Sequence, residues 1–136
     1  MLVGTTTLRV TYADTDQMGF VYYGNYPKYY EIGRTELMRS LGFPYKELEN
    51  LGVMMPVINL QSNYKAPGKY DDLLTIKTIV KELPSVKMHF IYEIYNPNEK
   101  LINIGETTLV FVNMKTNRPV RVPEVLLNVL LNNFEH

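Results

Sequence analysis

Two carboxylates two residues apart, ahead of a run of aromatic residues and a helix start, are the chain's densest concentration of groups able to do chemistry. They lie in Val10-Thr-Tyr-Ala-Asp14-Thr-Asp16-Gln-Met-Gly19-Phe-Val-Tyr22-Tyr23-Gly24-Asn25-Tyr26. Asn25 reads as a helix N-cap, with Pro27 in the first turn, where a missing N–H costs nothing. Asp16 is then expected near the free amides and positive dipole end of that helix, a natural site for a developing oxyanion. Asp-x-Asp also ligates Mg²⁺ or Mn²⁺ in nucleotide-dependent enzymes, but no phosphate loop or further acidic cluster accompanies it here. For Asp14, turn chemistry is the expected role, its side chain bonding local amides.

What the 136 residues lack narrows the chemistry further. The absence of Cys excludes a thiol nucleophile, a disulfide framework and Cys-ligated metal or iron–sulfur centres. The two histidines, His89 and His136, do not make a multi-histidine metal site, and no metal or other cofactor is expected. His89, among alternating strand residues, is expected to be structural or solvent-facing. No G-x-S-x-G elbow presents a serine. The chemistry must rest largely on carboxylates, hydroxyls and backbone amides. Lys and Arg total 14 against 14 Asp and Glu, without the basic excess of a nucleic-acid surface. The start of the chain lacks the charged segment and apolar run of a signal peptide, and no apolar stretch approaches the roughly 20 residues of a membrane helix. The expectation is a cytoplasmic protein that meets neither nucleic acid nor membrane.

The elements that must position this segment follow from periodicity. Alternation over 5–12 sets Leu8, Val10 and Tyr12 on one face of a strand, opposite Thr7, Arg9 and Thr11. A helix runs from Tyr26 to about Leu41, where Gly42 and Pro44 stop it. Its stripe is Tyr26, Tyr30, Gly33, Leu37 and Leu41, widened by Tyr29 and Met38. Gly33 should cost about 1 kcal/mol relative to Ala inside a helix, so close packing against its backbone is expected. A short helix covers 44–51. Segments near 53–65, 73–83, 86–95 and 101–114 read as strands joined by turns short enough to require antiparallel pairing. A final helix opens at Pro123 and Glu124. The sum is an α+β fold over 1–136, one sheet with one principal helix on its face. A sheet covered on one face leaves surface for a second copy, so a dimer is expected.

Tyr12-x-Asp14-Thr-Asp16-x-x-Gly19-x-Val-Tyr22-x-x-Asn25-Tyr26, then Tyr30-Glu31 and Arg34-Thr35-Glu36, resembles the 4-hydroxybenzoyl-CoA thioesterase family of acyl-CoA thioesterases. Tyr64-x-x-Pro67-x-x-x-Asp71-Asp72-x-Leu74-x-Ile76 and Thr116-x-Arg118-Pro119-x-x-x-Pro123 extend the similarity over almost the whole chain. The resemblance implies a hotdog fold, a long helix wrapped by an antiparallel sheet, and a homodimer or homotetramer with active sites at the subunit interface. It implies acyl-CoA as substrate, Asp16 as the catalytic carboxylate and the Tyr23 backbone N–H as the contact polarising the thioester carbonyl. Some bacterial relatives carry His where this chain has Tyr23.

Within the motif, Gly19, Val21, Tyr22, Gly24 and Asn25 are expected to line the substrate. Among the basic residues near strand ends and loops, Lys87 and Arg118 are the candidates for CoA phosphates. Glu31 is a possible second carboxylate, expected instead to pair with Arg34 or Thr35 on the helix surface or to support the active-site loop. Met18, Phe20, Met54 and Met55 line either a substrate tunnel or the core. Asp16 would act either as general base toward water or as nucleophile. Two other readings of the same fold stand beside hydrolysis: a non-catalytic acyl-CoA-binding module, and a dehydratase of 3-hydroxyacyl chains. The dehydratase chemistry looks for a His/Glu pair, and 14–41 contains no His.

Overall fold

A computed structural model describes residues 1–135; the reading of His136 lies outside them. The elements run β1 (Leu2–Arg9), α1 (Tyr26–Ser40), α2 (Tyr45–Asn50), β2 (Val53–Met54), β3 (Val57–Tyr64), β4 (Leu73–Val80), β5 (Lys87–Tyr95), β6 (Leu101–Val110), β7 (Val112–Asn113) and α3 (Glu124–Asn133). Five strands form one antiparallel sheet in the order β1-β4-β5-β6-β3, and β2 pairs with β7 beside it.

Two of the expected strands are broken, for identifiable reasons. In 53–65 the break falls at Pro56, which has no N–H for a ladder and instead accepts from Val110 N at 3.1 Å. In 101–114 it falls at Phe111, whose N–H turns to Val86 O and whose carbonyl accepts from Val120 N. The first strand also ends earlier than alternation suggested. Leu8 and Val10 point inward, but after Val10 the chain coils into a 3₁₀ turn, Tyr12–Asp14, and leaves Tyr12 79% exposed, edge-on to Tyr70.

The apolar face of α1 meets the sheet with Tyr26, Tyr29, Tyr30, Leu37 and Met38 all buried. Gly33 behaves as the helix-interior glycine implied. A Cβ there would lie 2.6 Å from Thr78 Oγ1 and 2.9 Å from an Ile76 methyl, so the helix backbone rests directly on β4. Gly105 in β6 is tighter still, since a Cβ would sit 2.1 Å from Cζ of Tyr30. That missing side chain is the slot into which the Tyr30 ring drops.

Polar groups buried beneath the helix satisfy one another. The Tyr30 hydroxyl meets Ser62 Oγ at 2.6 Å and donates to Asn103, whose amide donates to Ser62 at 3.1 Å. Tyr92 meets Thr107 at 2.6 Å. Leu126 and Leu130 of α3 join the core. Edge strand β3 is different: Val57, Ile58, Leu60 and Tyr64 are all at least 40% exposed. Among the described residues no helix is long and apolar enough to cross a membrane.

Candidate active site

The loop between β1 and α1 leaves the sheet through a backbone pair with the segment before β4: Val10 N donates to Asp72 O, and Asp71 N to Val10 O. It then folds on itself around Asp16. Asp16 N donates to Phe20 O at 2.8 Å and Gly19 N to Asp16 O at 3.1 Å. The side-chain Oδ1 of Asp16 accepts from Met18 N at 2.9 Å and from Phe20 N at 3.2 Å. Gly19, at φ +77°, supplies the left-handed residue this tight turn requires. Oδ1 is thereby committed to holding the loop, and Oδ2 stays free of partners among the described residues.

The local amide bonding expected of Asp14 is found at Asp16 instead. Asp16 makes the local amide bonds, whereas Asp14 does not: its carboxylate is 7% exposed and pairs with Lys28 Nζ at 2.5 Å and the Tyr29 hydroxyl at 3.0 Å. Burial works against the charged form of Asp14. The hydrogen bonds from Lys28 and Tyr29, with the Lys28 charge, outweigh it and hold this carboxyl below the usual range. Burial, reinforced by Asp14, pushes the Tyr29 hydroxyl in the opposite direction, upward.

Asn25 also departs from expectation. Its side chain makes no cap on α1; Nδ2 donates to Asp14 O at 2.8 Å instead. The reason is a second 3₁₀ turn, Tyr23–Asn25, that leads into the helix and leaves Asn25 in helical conformation, where its side chain faces back to the loop. At the start of this turn the N–H groups of Tyr23 and Gly24 find no acceptor among the described residues, as the opening of any helical turn dictates. Tyr64 of β3 donates to the Tyr23 carbonyl at 3.3 Å and so ties this turn to the edge strand.

Asp16, Val21 and Tyr23 line one cavity of about 360 Å³, with Tyr26, Tyr64 and Lys65 in its wall. On its other side Asp16 borders a second, of about 580 Å³, with Gly19, Tyr12 and Tyr70. Tyr22 is half exposed with its ring against Tyr23 at 4.7 Å, and Gly24 lies under it, with room for no Cβ. Phe20 lines the first cavity and Met18 is exposed, while Met54 and Met55 line a separate hollow with Glu31 and Arg34. Glu31 makes no ion pair with Arg34 among the described residues. Arg34 turns under the helix toward Tyr92, at 3.5 Å. Lys87 opens β5, and Arg118 sits in the turn after β7; neither lines the two cavities at Asp16. His89 is exposed and faces Glu106 at 3.9 Å. Among the described residues no three His, Asp or Glu side chains gather as a metal site.

Sequence reasoning missed Lys28; it placed Tyr29 with the core and pocket lining, Tyr64 in a family motif and Lys65 among the basic residues near strand ends, without bringing them to Asp14 and Asp16. Lys28 did carry a signal. A cation in the first turn of a helix opposes the helix dipole, and the first turn of α1 holds no acidic residue to offset it, so a carboxylate from elsewhere was called for. Tyr64 and Lys65 reach the site only through the pairing of β3 at the sheet edge, which no local pattern announces.

A family model for the thioesterase-like superfamily matches residues 10–130. The chain belongs to that superfamily. It is 35% identical over 121 residues to a putative acyl-CoA thioesterase, YneP, of Bacillus subtilis, covering 89% of this chain and 88% of the relative. It is 32% identical over 120 residues to the acyl-CoA thioester hydrolase YbgC of Escherichia coli, covering 88% and 90%. The crystal structure of a DHNA-CoA thioesterase from Staphylococcus aureus superposes with a TM-score of 0.87 at 30% identity, over 100% of this chain and 97% of that one. The fold is the hotdog: a long helix held against an antiparallel sheet.

Proposed function

We propose that this member of the superfamily is an acyl-CoA thioesterase that hydrolyses its substrate to free acid and CoA at Asp16. The observation that carries this reading is the shared cavity: Asp16, whose Oδ2 has no partner among the described residues, lines it together with Tyr23, whose N–H has none either. Similarity to the YneP and YbgC thioesterases supports the same conclusion. In this reading the thioester carbonyl oxygen accepts from the Tyr23 N–H, with Gly24 beside it, a contact worth about 3 kcal/mol to the transition state. Oδ2 either takes a proton from an attacking water or attacks the carbonyl carbon itself. In both cases the C–S bond breaks and CoA departs as thiolate; where Oδ2 is the nucleophile, water then cleaves the acyl–Asp16 anhydride, releasing the free acid and restoring the carboxylate. A thiol with a pKa of about 8.5 needs no strong general acid to leave.

Val21 and the ring of Tyr23 flank the acyl group in this proposal, while Gly19, Tyr22, Gly24 and Asn25 shape the loop around it. Lys87 and Arg118 stand as contacts for CoA phosphates, joined by Lys65 in the cavity wall. The exposed apolar edge of β3 supports pairing with a second copy, which would carry Tyr64 and Lys65 to the interface.

Thiol release from short-chain, long-chain and aromatic acyl-CoAs, with Asp16→Asn as control, tests the reading. Hydrolysis by the wild type and none by the mutant is the expected result. A mutant as active as the wild type, tight binding without turnover, or an enoyl product would each overturn it.

A further inference from the structure

Asp14 is a buried titratable group that the proposed chemistry does not use, and it is the point where the site's three segments meet. Its carboxylate reaches the first turn of α1 through Lys28 and Tyr29. Its carbonyl accepts both Tyr22 N at 2.9 Å and Asn25 Nδ2 at 2.8 Å, which anchors the turn carrying the Tyr23 N–H. Two residues on, the chain closes around Asp16 through the Thr15–Val21 bridge and the Asp16–Phe20 bond.

We propose that Asp14 is a positioning residue for the reaction, fixing the Asp16 carboxylate and the Tyr23 N–H in one register against α1. The inference rests on the reading of Asp16 as the reacting group.

The physical argument is one of connectivity. Asp16 holds its own loop in shape, but every side-chain bond it makes lies within 16–20, so nothing in those bonds sets where the loop sits on the molecule. Tyr23 is likewise held within its turn and by Tyr64. Among the described residues, Asp14 alone bonds both to the helix by its side chain and to the Tyr23 turn by its backbone. Backbone bonds from Val21 N to Gly68 O at 2.8 Å and from Tyr70 N to Gly19 O at 2.9 Å tie the loop to the segment before β4; a buried carboxylate requires partners, and those of Asp14 tie the same loop to the first turn of α1. Lys28 is half exposed and reaches in to meet it, so the pair is built from the loop side, not from the core.

The test compares kcat and KM of full-length variants on the acyl-CoA with the highest turnover. Asp14→Asn is expected to lower kcat about 100-fold, the effect of an angstrom-scale misplacement, with KM within about twofold. Circular dichroism and oligomer size should match the wild type. Lys28→Met should lower kcat about 10-fold and Lys28→Arg should restore it, since the cation is what the carboxylate needs. Wild-type kcat in Asp14→Asn, or a change confined to KM, overturns the inference. If Asp14→Asn does not fold, the Lys28 pair decides, and equal kcat in Met and Arg variants overturns it. An inactive Asp16→Asn beside a fully active Asp14→Asn sinks the positioning role alone, whereas an active Asp16→Asn sinks the catalytic reading with it.

Discussion

The loop ahead of α1 and the seam beneath it are both built from polar groups pressed against one helix, yet they treat those groups in opposite ways. In the seam, Tyr30, Ser62 and Asn103 satisfy one another, and Tyr92 and Thr107 do the same. In the loop, one oxygen of Asp16 and the N–H groups of Tyr23 and Gly24 are left over among the described residues. The seam spends its hydrogen bonds on joining Tyr30 of the helix to β3 and β6 and on tying β5 to β6. The loop, anchored by Asp14, keeps groups of both signs available beside a cavity, and that is what a reaction with a developing oxyanion needs.

This contrast is broken most severely by two substitutions that should fail in opposite ways. Asp16→Asn should remove turnover while thermal unfolding stays near that of the wild type, because Oδ1 still accepts from Met18 and Phe20. Gly105→Ala should do the reverse. Its Cβ would overlap the Tyr30 ring at 2.1 Å, against a β-strand backbone and a buried aromatic, neither of which can yield cheaply. Overpacking of this kind costs about 1–3 kcal/mol or more. A denaturant titration of both variants, paired with the thiol-release assay, checks the assignment. An unstable Asp16→Asn or a stable Gly105→Ala would erase the distinction between the two regions.

How much of this could be read in the sequence divides along the same line. The helix stripe, the antiparallel strands and the significance of Gly33 follow from short-range periodicity and propensity, which is local information. Asp16 and the helix start were legible because their spacing is local too. What was not legible depends on partners distant in the chain. Asp14 looked like turn chemistry because a side chain two residues from another aspartate, in a loop, competes well for nearby amides. Only the fold shows that Lys28 and Tyr29 reach it first. Tyr12 followed the strand's alternation yet fell outside the strand, since alternation says nothing about where a ladder ends. The slot at Gly105 for Tyr30 joins residues 75 positions apart, and no pattern in either neighbourhood encodes it.

A milder change within the seam sharpens the comparison. Asn103 is fully buried and bonded to Tyr30 and Ser62. Asn103→Ala should destabilise by about 1–3 kcal/mol, the penalty for stranding buried hydroxyls without their partner. The cavity at Asp16 should be unaffected, so kcat at a temperature where the variant is fully folded should stay near wild type. A parallel loss of kcat would mean that the seam, and not Asp14, sets the position of the helix start.

The smallest expected effect has the opposite sign. Thr78 lies in β4 under Gly33, 1% exposed, and its hydroxyl has no hydrogen-bond partner among the described residues. A buried hydroxyl without a partner carries its desolvation penalty uncompensated. Thr78→Val keeps the branched shape that β4 and the helix backbone pack against, and removes only the polar atom. The variant should therefore gain about 0.5–1 kcal/mol in a denaturant midpoint measurement with the slope unchanged. Substituting the seam's Thr107, equally buried but bonded to Tyr92 at 2.6 Å, by Val should lose a comparable amount. If the two threonines respond alike, hydrogen bonding is not what separates them, and the close packing of Thr78 Oγ1 and the Ile76 methyl against Gly33 governs the helix–sheet contact instead.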